Sequence, residues 1–317
     1  MFWSADSAFG QWLHRIWGHV FVFPYGLPRF GGEIRSFRGF LSIVDRRLRC
    51  PVYVAEHLTP KTVAANRGNR KFSQFHSDPT VPPPFRVANE DFRATGMSRG
   101  HMAAAANHKT SQSDMDETFN LSFNIVPQDL SCNAEYWNRM EWLVRDLTKV
   151  FPHVRVISGP LWIPQKDGQM QYRVCGDHML SVPTHLFKVI IAETRRKYWF
   201  FGPRSVYVGA FIVPNAPIDR RKPLVEFQVP LSDIERHSGM EMLPRLRPVQ
   251  MENLCAKDGC CQLVDPDVQA NEFLRRDISR AASVADVEKC VSNFLKAGGI
   301  LDHQTAMLLK EKREKKE

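Results

Sequence analysis

The spacing of hydrophobic and polar positions predicts several β-strands along the first two-thirds of the chain. Two short segments rich in β-branched and aromatic residues, 37–45 and 51–57, flank a basic connection and predict a β-hairpin. Three denser apolar runs bounded by Gly and Pro, at 154–163, 186–192 and 206–213, predict buried strands. Because strands and helices mix without regular alternation, the pattern predicts an α+β fold.

The clearest helical pattern spans residues 133–151 and is followed by Pro152. The apolar positions that recur on it at spacings of three and four, and so predict one buried stripe, are Tyr136, Met140, Leu143, Val144, Leu147 and Val150. A shorter helix is predicted from Leu231, with a capping box of Ser232 and Glu235 and a stop at Gly239.

Other stretches lack strand patterns. Residues 59–89 are polar, basic and proline-rich, and predict a loop without helix. After about residue 253 the character changes to a small helical appendage, with an amphipathic helix that begins near Ser283 and closes at Gly298 and Gly299. The charged tail predicts a frayed end.

Composition and charge narrow the choice of partners. The 317 residues are 43% hydrophobic and 24% charged, which is ordinary for a globular protein. The formal charge of +9 and the pI near 9.3 favour a polyanionic partner, nucleic acid or an anionic membrane. A generally basic surface without such a partner fits the charge equally well.

The seven cysteines are odd in number and scattered, which predicts free thiols in a reducing compartment. Cys255, Cys260 and Cys261 lie close enough to suggest a metal knuckle. No second Cys/His pair stands at a suitable spacing, so zinc is disfavoured.

The N-terminal segment, residues 1–30, resembles a targeting or anchoring sequence. Its apolar part is interrupted by His14, Arg15 and His19 and is short for a membrane span. It lacks the basic start and cleavage site of a secretory signal, whereas its scarcity of acidic residues is typical of mitochondrial presequences. A packed N-terminal helix is the alternative.

The stretch GMSRGHMAAAANHK carries the first candidate chemistry. A lone histidine is usually structural, but phosphodiester hydrolysis needs a base, positive charge on the phosphate and, in many enzymes, a hard cation. His101 suits the base because its ordinary pKa lies near neutrality, and Arg99 suits the phosphate. One amide oxygen suffices for Mg²⁺ if waters complete its octahedron.

Downstream, the chain supplies Asn124, Asn133 and Glu141. Asn133 lies at or near the start of the long predicted helix, and Glu141 lies about 80° around that helix and about 12 Å along it. Glu141 would therefore reach a cation at Asn133 through water, unless Asn133 precedes the helix. The structural alternatives are an N-cap role for Asn133 and a solvated charge for Glu141.

Taken together, the segments VPPPFRVANEDFRATGMSRGHMA, TFNLSFNIVPQD, YWNRME and VISGPLWIPQ resemble the DNA/RNA non-specific endonuclease family, whose members have the ββα-metal (His-Me finger) fold. The similarity extends from about Arg35 to Leu243 and is closest to the exonuclease G branch of the endonuclease G relatives. NLCAKDGCCQLVD and the following residues resemble the helical wing of that branch.

The resemblance implies a role for each candidate residue. His101 would be the general base, and Asn133 would be the single protein ligand of Mg²⁺, with Glu141 as the carboxylate that orients the waters of the cation. Arg99 would bind the phosphate, and Arg70 would stabilise the pentacoordinate phosphate. Asn124 would be a supporting asparagine behind the metal site.

The resemblance also implies an architecture and an activity. A nuclease core with a central antiparallel sheet would span residues 31–252 and a helical wing residues 253–317. The implied activity is Mg²⁺-dependent hydrolysis, with Mn²⁺ able to substitute, of DNA and also RNA. The implied mode is a 5′–3′ exonuclease with endonuclease activity that leaves 5′-phosphate ends. The implied setting is a mitochondrial homodimer associated with the inner membrane through the N-terminal segment.

Two departures from the family pattern leave alternatives open. Ser98 stands where most of the wider family has Asp, although the exonuclease G branch also has serine, and it could alter how the imidazole is supported. TFNLSFNI carries one residue more than usual, which a bulge could absorb or which could displace Asn124. The alternatives are an endonuclease G-like apoptotic endonuclease and a catalytically silent nucleic-acid-binding paralogue.

Overall fold

A computed structural model describes residues 23–28, 34–194, 205–246 and 251–314. Most of the predicted targeting segment and the end of the charged tail lie outside these residues. The chain divides into two compact units, the first made of residues up to Ile218 together with Pro223–Gln262. The second is made of Asp219–Lys222 and the residues from Leu263 onward.

A seven-stranded sheet forms the centre of the first unit, in the order β1-β2-β3-β6-β9-β10-β11. Its strands are β1 (Arg35–Ser36), β2 (Phe40–Asp45), β3 (Cys50–Leu58), β6 (His153–Leu161), β9 (His185–Glu193), β10 (Val206–Pro214) and β11 (Met251–Asn253). All neighbours are antiparallel except β10 and β11. The predicted hairpin and the three predicted buried strands are confirmed.

The central strands read as continuous apolar runs because both of their faces are covered. Eight of the nine residues of β6 and of β9 are buried. On one face Ile157, Phe187 and Val189 belong to a cluster that includes Met240 and Met242. Burial of each such side chain contributes roughly 1.5–3 kcal/mol, so the sheet is a rigid support for the elements on it.

A β-hairpin and a helix follow each other in the chain. The hairpin consists of β4 (Met97–His101) and β5 (Ile125–Asp129), neither of which the hydrophobic pattern predicted. The short helix α2 (Gln112–Glu117) lies between them in the chain. After β5 comes a π-helical turn, Cys132–Trp137, that continues as helix α3 (Asn138–Leu147). The short strands β7 (Val174–Cys175) and β8 (Leu180–Ser181) form another antiparallel pair.

Several local predictions were wrong. The long helix ends at Leu147 rather than at Pro152, and Val150 is 68% exposed. The region 59–89 contains a short helix, α1 (Pro60–Ala64), because the Thr59 hydroxyl caps it and proline is favourable in a first turn. Helix α4 (Leu231–Ser238) has no side-chain cap, so the predicted capping box does not form. Gly239 does end it, with a φ of 69°.

Three helices make up most of the second unit: α5 (Pro266–Arg280), α6 (Val284–Lys296) and α7 (His303–Glu314). Their small core includes Leu274, Ile278 and Val291. Ser283 caps α6 in a capping box with Asp286, which confirms the predicted helix start. None of the helices in the described residues is long and apolar enough to cross a membrane.

The prediction that all seven cysteines are free thiols was wrong for one pair of them. Cys255 and Cys261 form a disulfide, and Cys260 between them in the chain is a buried free thiol. Within the described ranges no group of three or more His, Cys, Asp or Glu side chains could hold a metal ion. The near-neighbour cysteines therefore serve to close a short loop.

Candidate active site

The hairpin presents the Arg-Gly-His segment on strand β4. His101 pairs with Ile125 of β5, and the indole Nε1 of Trp137 donates a hydrogen bond of 3.0 Å to the His101 carbonyl. Gly100 has no room for a side chain, because a Cβ there would collide with the Gln128 side chain. The backbone of His101 is thus held both by its pairing with β5 and by Trp137 of the following helical segment.

The His101 ring is buried, with 6% of its surface exposed, and lies against two aromatic rings. Its centroid is 5.4 Å from that of Phe75 and 4.9 Å from that of Phe119. Burial and the nearby Arg70 charge lower the His101 pKa to about 3, against an opposing hydrogen bond with the Arg99 backbone. The imidazole is therefore neutral at pH 7, which is the form that accepts a proton.

The Nε2 atom of His101 is buried and has no hydrogen-bond partner in the part of the chain that the structure describes. A buried polar atom without a partner costs about 1–3 kcal/mol, so such atoms are uncommon and call for an explanation. A general base explains the missing partner of Nε2, because this nitrogen must be able to accept a proton from a substrate or from water.

Beside this histidine lies a pocket of about 560 Å³. Its lining residues are Arg70, Phe75, Asn89, Phe92, Arg93, Met97, Ser98, Arg99, Leu130 and Asn133. Three of the predicted site residues, Arg70, Arg99 and Asn133, therefore share one cavity although they lie far apart in the chain. His101 and Glu141 are not lining residues, but the His101 ring contacts Phe75 of the lining.

Two of the three arginines that line the pocket, Arg70 and Arg99, lie against aromatic rings. The Arg99 guanidinium lies 4.8 Å from the ring centre of Phe75 and donates a hydrogen bond of 2.8 Å to Asn89. Arg70 lies 5.2 Å from the ring centre of Phe119. Together with Arg93, these two arginines place three cations in one concave pocket, which suits it to bind a phosphate group.

Ser98 supports Asn133 rather than the imidazole. The Asn133 amide nitrogen donates a hydrogen bond of 3.0 Å to the Ser98 hydroxyl, which itself donates to the Gln128 carbonyl at 2.8 Å. The Asn133 nitrogen is thereby engaged, and the amide oxygen is left to bind another group. Asn133 does not act as an N-cap, because the helical segment begins at Cys132.

Glu141 lies on α3 among buried charges rather than in the pocket lining. Burial raises its pKa to about 7, while the cations Arg145 and Lys188 act in the opposite direction. Lys188 itself is buried and donates a hydrogen bond to Ser158 at 2.9 Å. Glu141 is therefore no simple solvated helix charge, which was the structural alternative for it.

A second buried carboxylate, Glu56, adds to the charges around Glu141. It accepts hydrogen bonds from Asn107 at 3.0 Å and from His108 at 2.9 Å. Asn107 in turn accepts from Arg145 at 3.0 Å. Sequence reasoning missed Glu56 and Lys188, because each lies in an apolar strand pattern that carries no mark of a polar site.

Asn124 is fixed behind β4 by three hydrogen bonds. Its Oδ1 accepts from the Ala103 N–H at 2.8 Å, and its Nδ2 donates to the carbonyls of Ala103 and Thr118 at 2.9 and 2.7 Å. No bulge forms, because the β4–β5 register is continuous. The turn before Asn124 is instead held by the Asn120 side chain, which accepts from the Ser122 and Phe123 N–H groups.

The donors present suit one kind of cation. A neutral amide oxygen at Asn133 is a hard ligand, and the described ranges hold no cluster of three His, Cys, Asp or Glu side chains that could replace it. Such a position fits a hydrated hard cation such as Mg²⁺, which keeps several waters, and does not fit zinc or other metals that need several soft ligands.

A β-hairpin that carries histidine and arginine, followed by a helical segment with asparagine at its second position, defines the class of ββα-metal nucleases. The family model described as DNA/RNA non-specific endonuclease matches residues 22–248, and the chain belongs to this family. The predicted family and fold class are confirmed.

The chain is similar to characterised nucleases over most of its length. It is 40% identical to the mitochondrial nuclease EXOG of Danio rerio, covering 96% of this chain and 86% of the relative. The human mitochondrial nuclease EXOG is 41% identical, and the match covers 86% of this chain and 74% of the human protein. A solved EndoG chain in an EndoG/EndoGI complex is 35% identical, with a TM-score of 0.68 over 79% of this chain and 97% of that one.

These relatives and the family confirm the predicted enzyme class: the protein is a nuclease, a hydrolase that acts on nucleic acid. As a ββα-metal nuclease it depends on a divalent metal ion. The predicted mitochondrial location is also confirmed by relatives from animals and yeasts, including the mitochondrial nuclease of Saccharomyces cerevisiae at 38% identity over 77% of this chain and 75% of that one.

Proposed function

We propose that this protein is a Mg²⁺-dependent nuclease that hydrolyses DNA and also RNA, with His101 as its general base. The observation that carries the proposal is the neutral, buried imidazole with an unpartnered Nε2, beside a pocket lined by Arg70, Arg99 and Asn133. Base, phosphate-binding cations and a hard ligand are the three components that phosphodiester hydrolysis needs.

The protein residues would act in the following order. Arg99 and Arg70 bind the scissile phosphate and offset the charge that grows on it during attack. His101 accepts a proton from the attacking water. Mg²⁺, for which Mn²⁺ can substitute, would be held by Asn133 with its waters arranged by Glu141, and would supply stabilisation of the leaving 3′ oxygen. The products would carry 5′-phosphate and 3′-hydroxyl ends.

The mode of attack and the setting belong to the same proposal. The resemblance to the exonuclease G branch implies 5′–3′ exonuclease action with endonuclease activity. An endonuclease G-like activity is the second candidate, supported by 38% identity to endonuclease G of Bos taurus over 70% of this chain and 72% of that one. The ratio of the cleavage rates on a linear and a closed circular duplex distinguishes the two, because only exonuclease action needs a free end.

Three further parts of the proposal rest on the family resemblance. The nuclease core would span residues 31–252 and the helical wing residues 253–317. The enzyme would act as a homodimer, and residues 1–30 would associate it with the inner mitochondrial membrane. Sedimentation of the purified protein tests the dimer, and fractionation of mitochondria from cells that express a chain lacking residues 1–30 tests the membrane association.

The decisive test is His101→Ala in a cleavage assay on a 5′-labelled duplex, with Mg²⁺ titrated. General-base catalysis contributes about 10²–10⁴-fold, so we expect the rate to fall by that factor while DNA affinity changes little. His303→Ala is the matched control, because His303 is exposed in the second unit.

Cleavage by His101→Ala at the wild-type rate would refute the proposed role of the imidazole. Nicking of a plasmid by the wild-type protein in the presence of a chelator would refute the metal dependence. A wild-type protein that binds DNA but never cleaves it would support the silent paralogue.

A further inference from the structure

Asn89 connects two groups of the pocket that sequence patterns did not link. It begins the 3-10 turn Asn89–Phe92 and lines the same cavity as Arg99 and Asn133. Its Oδ1 accepts a hydrogen bond of 2.8 Å from the Arg99 guanidinium. Its Nδ2 donates one of 2.9 Å to the Phe75 carbonyl. The Asn89 side-chain amide therefore binds the Arg99 guanidinium with its oxygen and the Phe75 backbone carbonyl with its nitrogen.

The ring of Phe75 extends this connection to the histidine. Arg99 lies 4.8 Å from the centre of the Phe75 ring, and the His101 ring lies 5.4 Å away from it. By fixing both the Phe75 backbone and the guanidinium above its ring, Asn89 sets where Arg99 lies relative to His101. The distance between these two groups decides whether a bound phosphate is presented to the base.

The turn that carries Asn89 is itself anchored. The buried Asp91 carboxylate accepts a hydrogen bond of 2.8 Å from the Ala88 N–H. It also contacts the His178 imidazole, with Nδ1 at 2.9 and 3.0 Å from its two oxygens. Asn89 is therefore placed before any substrate binds, so Arg99 need not be ordered at the moment of reaction.

Asparagine is the residue that this position requires. Its amide accepts from the guanidinium with oxygen and donates to the Phe75 carbonyl with nitrogen. An aspartate would keep the contact with Arg99, lose the donor and neutralise the charge that the phosphate needs. An alanine would lose both bonds.

We propose that Asn89 is a positioning residue that holds Arg99 in the orientation in which it binds the scissile phosphate. The proposal rests on the proposed function, since it acts through the role of Arg99 there. It adds a residue that the motif around His101 does not contain.

A double-mutant cycle with Asn89→Ala and Arg99→Ala tests this proposal. Hydrogen bonds to charged groups are worth about 1.5–3 kcal/mol, so we expect Asn89→Ala to lower kcat about 10- to 100-fold, with KM for DNA changing less than kcat. In the Arg99→Ala background the same substitution should cost less than about twofold, because the group that it positions is gone.

A merely structural role would give a different result, namely the same cost of Asn89→Ala in both backgrounds. That outcome would overturn the proposal and leave the proposed function intact. If Arg99→Ala alone cleaves like the wild type, the role of Arg99 in the proposed function fails instead. The two failures are thus distinguishable in one set of four proteins.

Asn89→Asp provides a second readout that does not depend on the alanine variant folding. It keeps Arg99 in place but cancels its charge, so we expect weaker DNA binding and a dependence of log affinity on log salt reduced by about one. An unchanged salt dependence would contradict the proposal. Asn253→Ala is the matched control, because Asn253 lies at the start of another 3-10 turn, accepts a hydrogen bond of 2.9 Å from the Cys255 N–H and lies outside the pocket lining.

Discussion

At the scale of single residues, Ser98 shows how a small substitution changes what a position can do. Its hydroxyl donates to the Gln128 carbonyl and accepts from the Asn133 amide. An ionised aspartate at this position would accept hydrogen bonds but would have no donor for that carbonyl. The serine therefore gives Asn133 a defined orientation without adding negative charge to the pocket.

Ser98→Ala tests this support through the metal dependence of cleavage. Loss of the hydroxyl leaves the Asn133 amide free to rotate, and loss of such supporting contacts typically weakens metal binding 10- to 100-fold. We expect the Mg²⁺ concentration for half-maximal cleavage to rise about 10-fold, with the rate at saturating Mg²⁺ near that of the wild type. Ser232→Ala, an exposed serine of α4 outside the pocket, is the control, and an unchanged Mg²⁺ titration for Ser98→Ala would contradict the assignment.

At the scale of elements, the site depends on how the hairpin β4–β5 is joined to the helical segment after it. The π-helical turn Cys132–Trp137 carries Asn133 and Trp137. Asn133 reaches Ser98 of β4, while Trp137 reaches the carbonyl of His101 on the same strand. Single π-helical turns widen a helix locally and are frequent at functional sites. Here the turn attaches both residues to one strand.

Trp137→Phe removes the indole donor and leaves the buried His101 carbonyl without this partner. Such a loss costs about 1–3 kcal/mol, so we expect the free energy of unfolding to fall by that amount and the cleavage rate to fall with it. Urea denaturation and a cleavage assay measure the two quantities.

Trp162→Phe is the matched control for this change, because the Trp162 indole also donates to a backbone carbonyl, that of Val182, at 3.1 Å. Trp162 lies outside the pocket lining, so its replacement should lower stability without slowing cleavage. Equal effects of both substitutions on the cleavage rate would show that Trp137 has no special link to the site.

At the scale of the whole molecule, buried and half-buried charged side chains of the sheet and of helix α3 lie near one another. Glu56 and Lys188 come from sheet strands, and Glu141 and Arg145 come from α3. Ionised side chains in such surroundings lose solvation, which is why burial raises the pKa of Glu141 to about 7. This cluster contains two acidic and two basic side chains, so their formal charges cancel.

This shift makes the stability of the metal-free protein depend on pH through Glu141. With a pKa near 4.5 in the unfolded chain and about 7 in the folded one, the folded state binds more protons between these values. The contribution of Glu141 to stability is therefore present at low pH and is lost as pH rises from 4.5 through 7.

Glu141→Gln should remove this dependence. We expect the stability of the variant relative to the wild type to increase with pH, by up to about 1.4 kcal/mol per pH unit between pH 4.5 and 7. Chemical denaturation in the presence of a chelator at pH 5 and pH 7.5 measures the difference. A constant difference between the two proteins would refute the shift, and Glu288→Gln on the exposed surface of α6 provides a control in which no comparable change is expected.

Local patterns predicted a large part of this molecule. Val156, Val189 and Phe211 lie in dense apolar runs, and these runs form the central strands. A strand that is covered on both faces needs apolar residues at successive positions, which is why such runs predict it. The sequence pattern also predicted the start of the helical segment near Asn133. Strand β4 was not, because Ser98 and Arg99 have no apolar alternation and are held in a strand only by pairing with β5.

The amino-acid sequence alone specifies the candidate chemistry: an imidazole two residues after a guanidinium, and an amide near the start of a helix. Tertiary structure alone decided which distant groups meet, bringing Arg70, Arg99 and Asn133 into one pocket and setting Asn89 between Arg99 and Phe75. It also decided that Cys255 pairs with Cys261. The physical reason is that hydrophobic periodicity reports only which side of a local element faces the core, whereas contacts between distant segments depend on how the whole sheet and its covering elements pack.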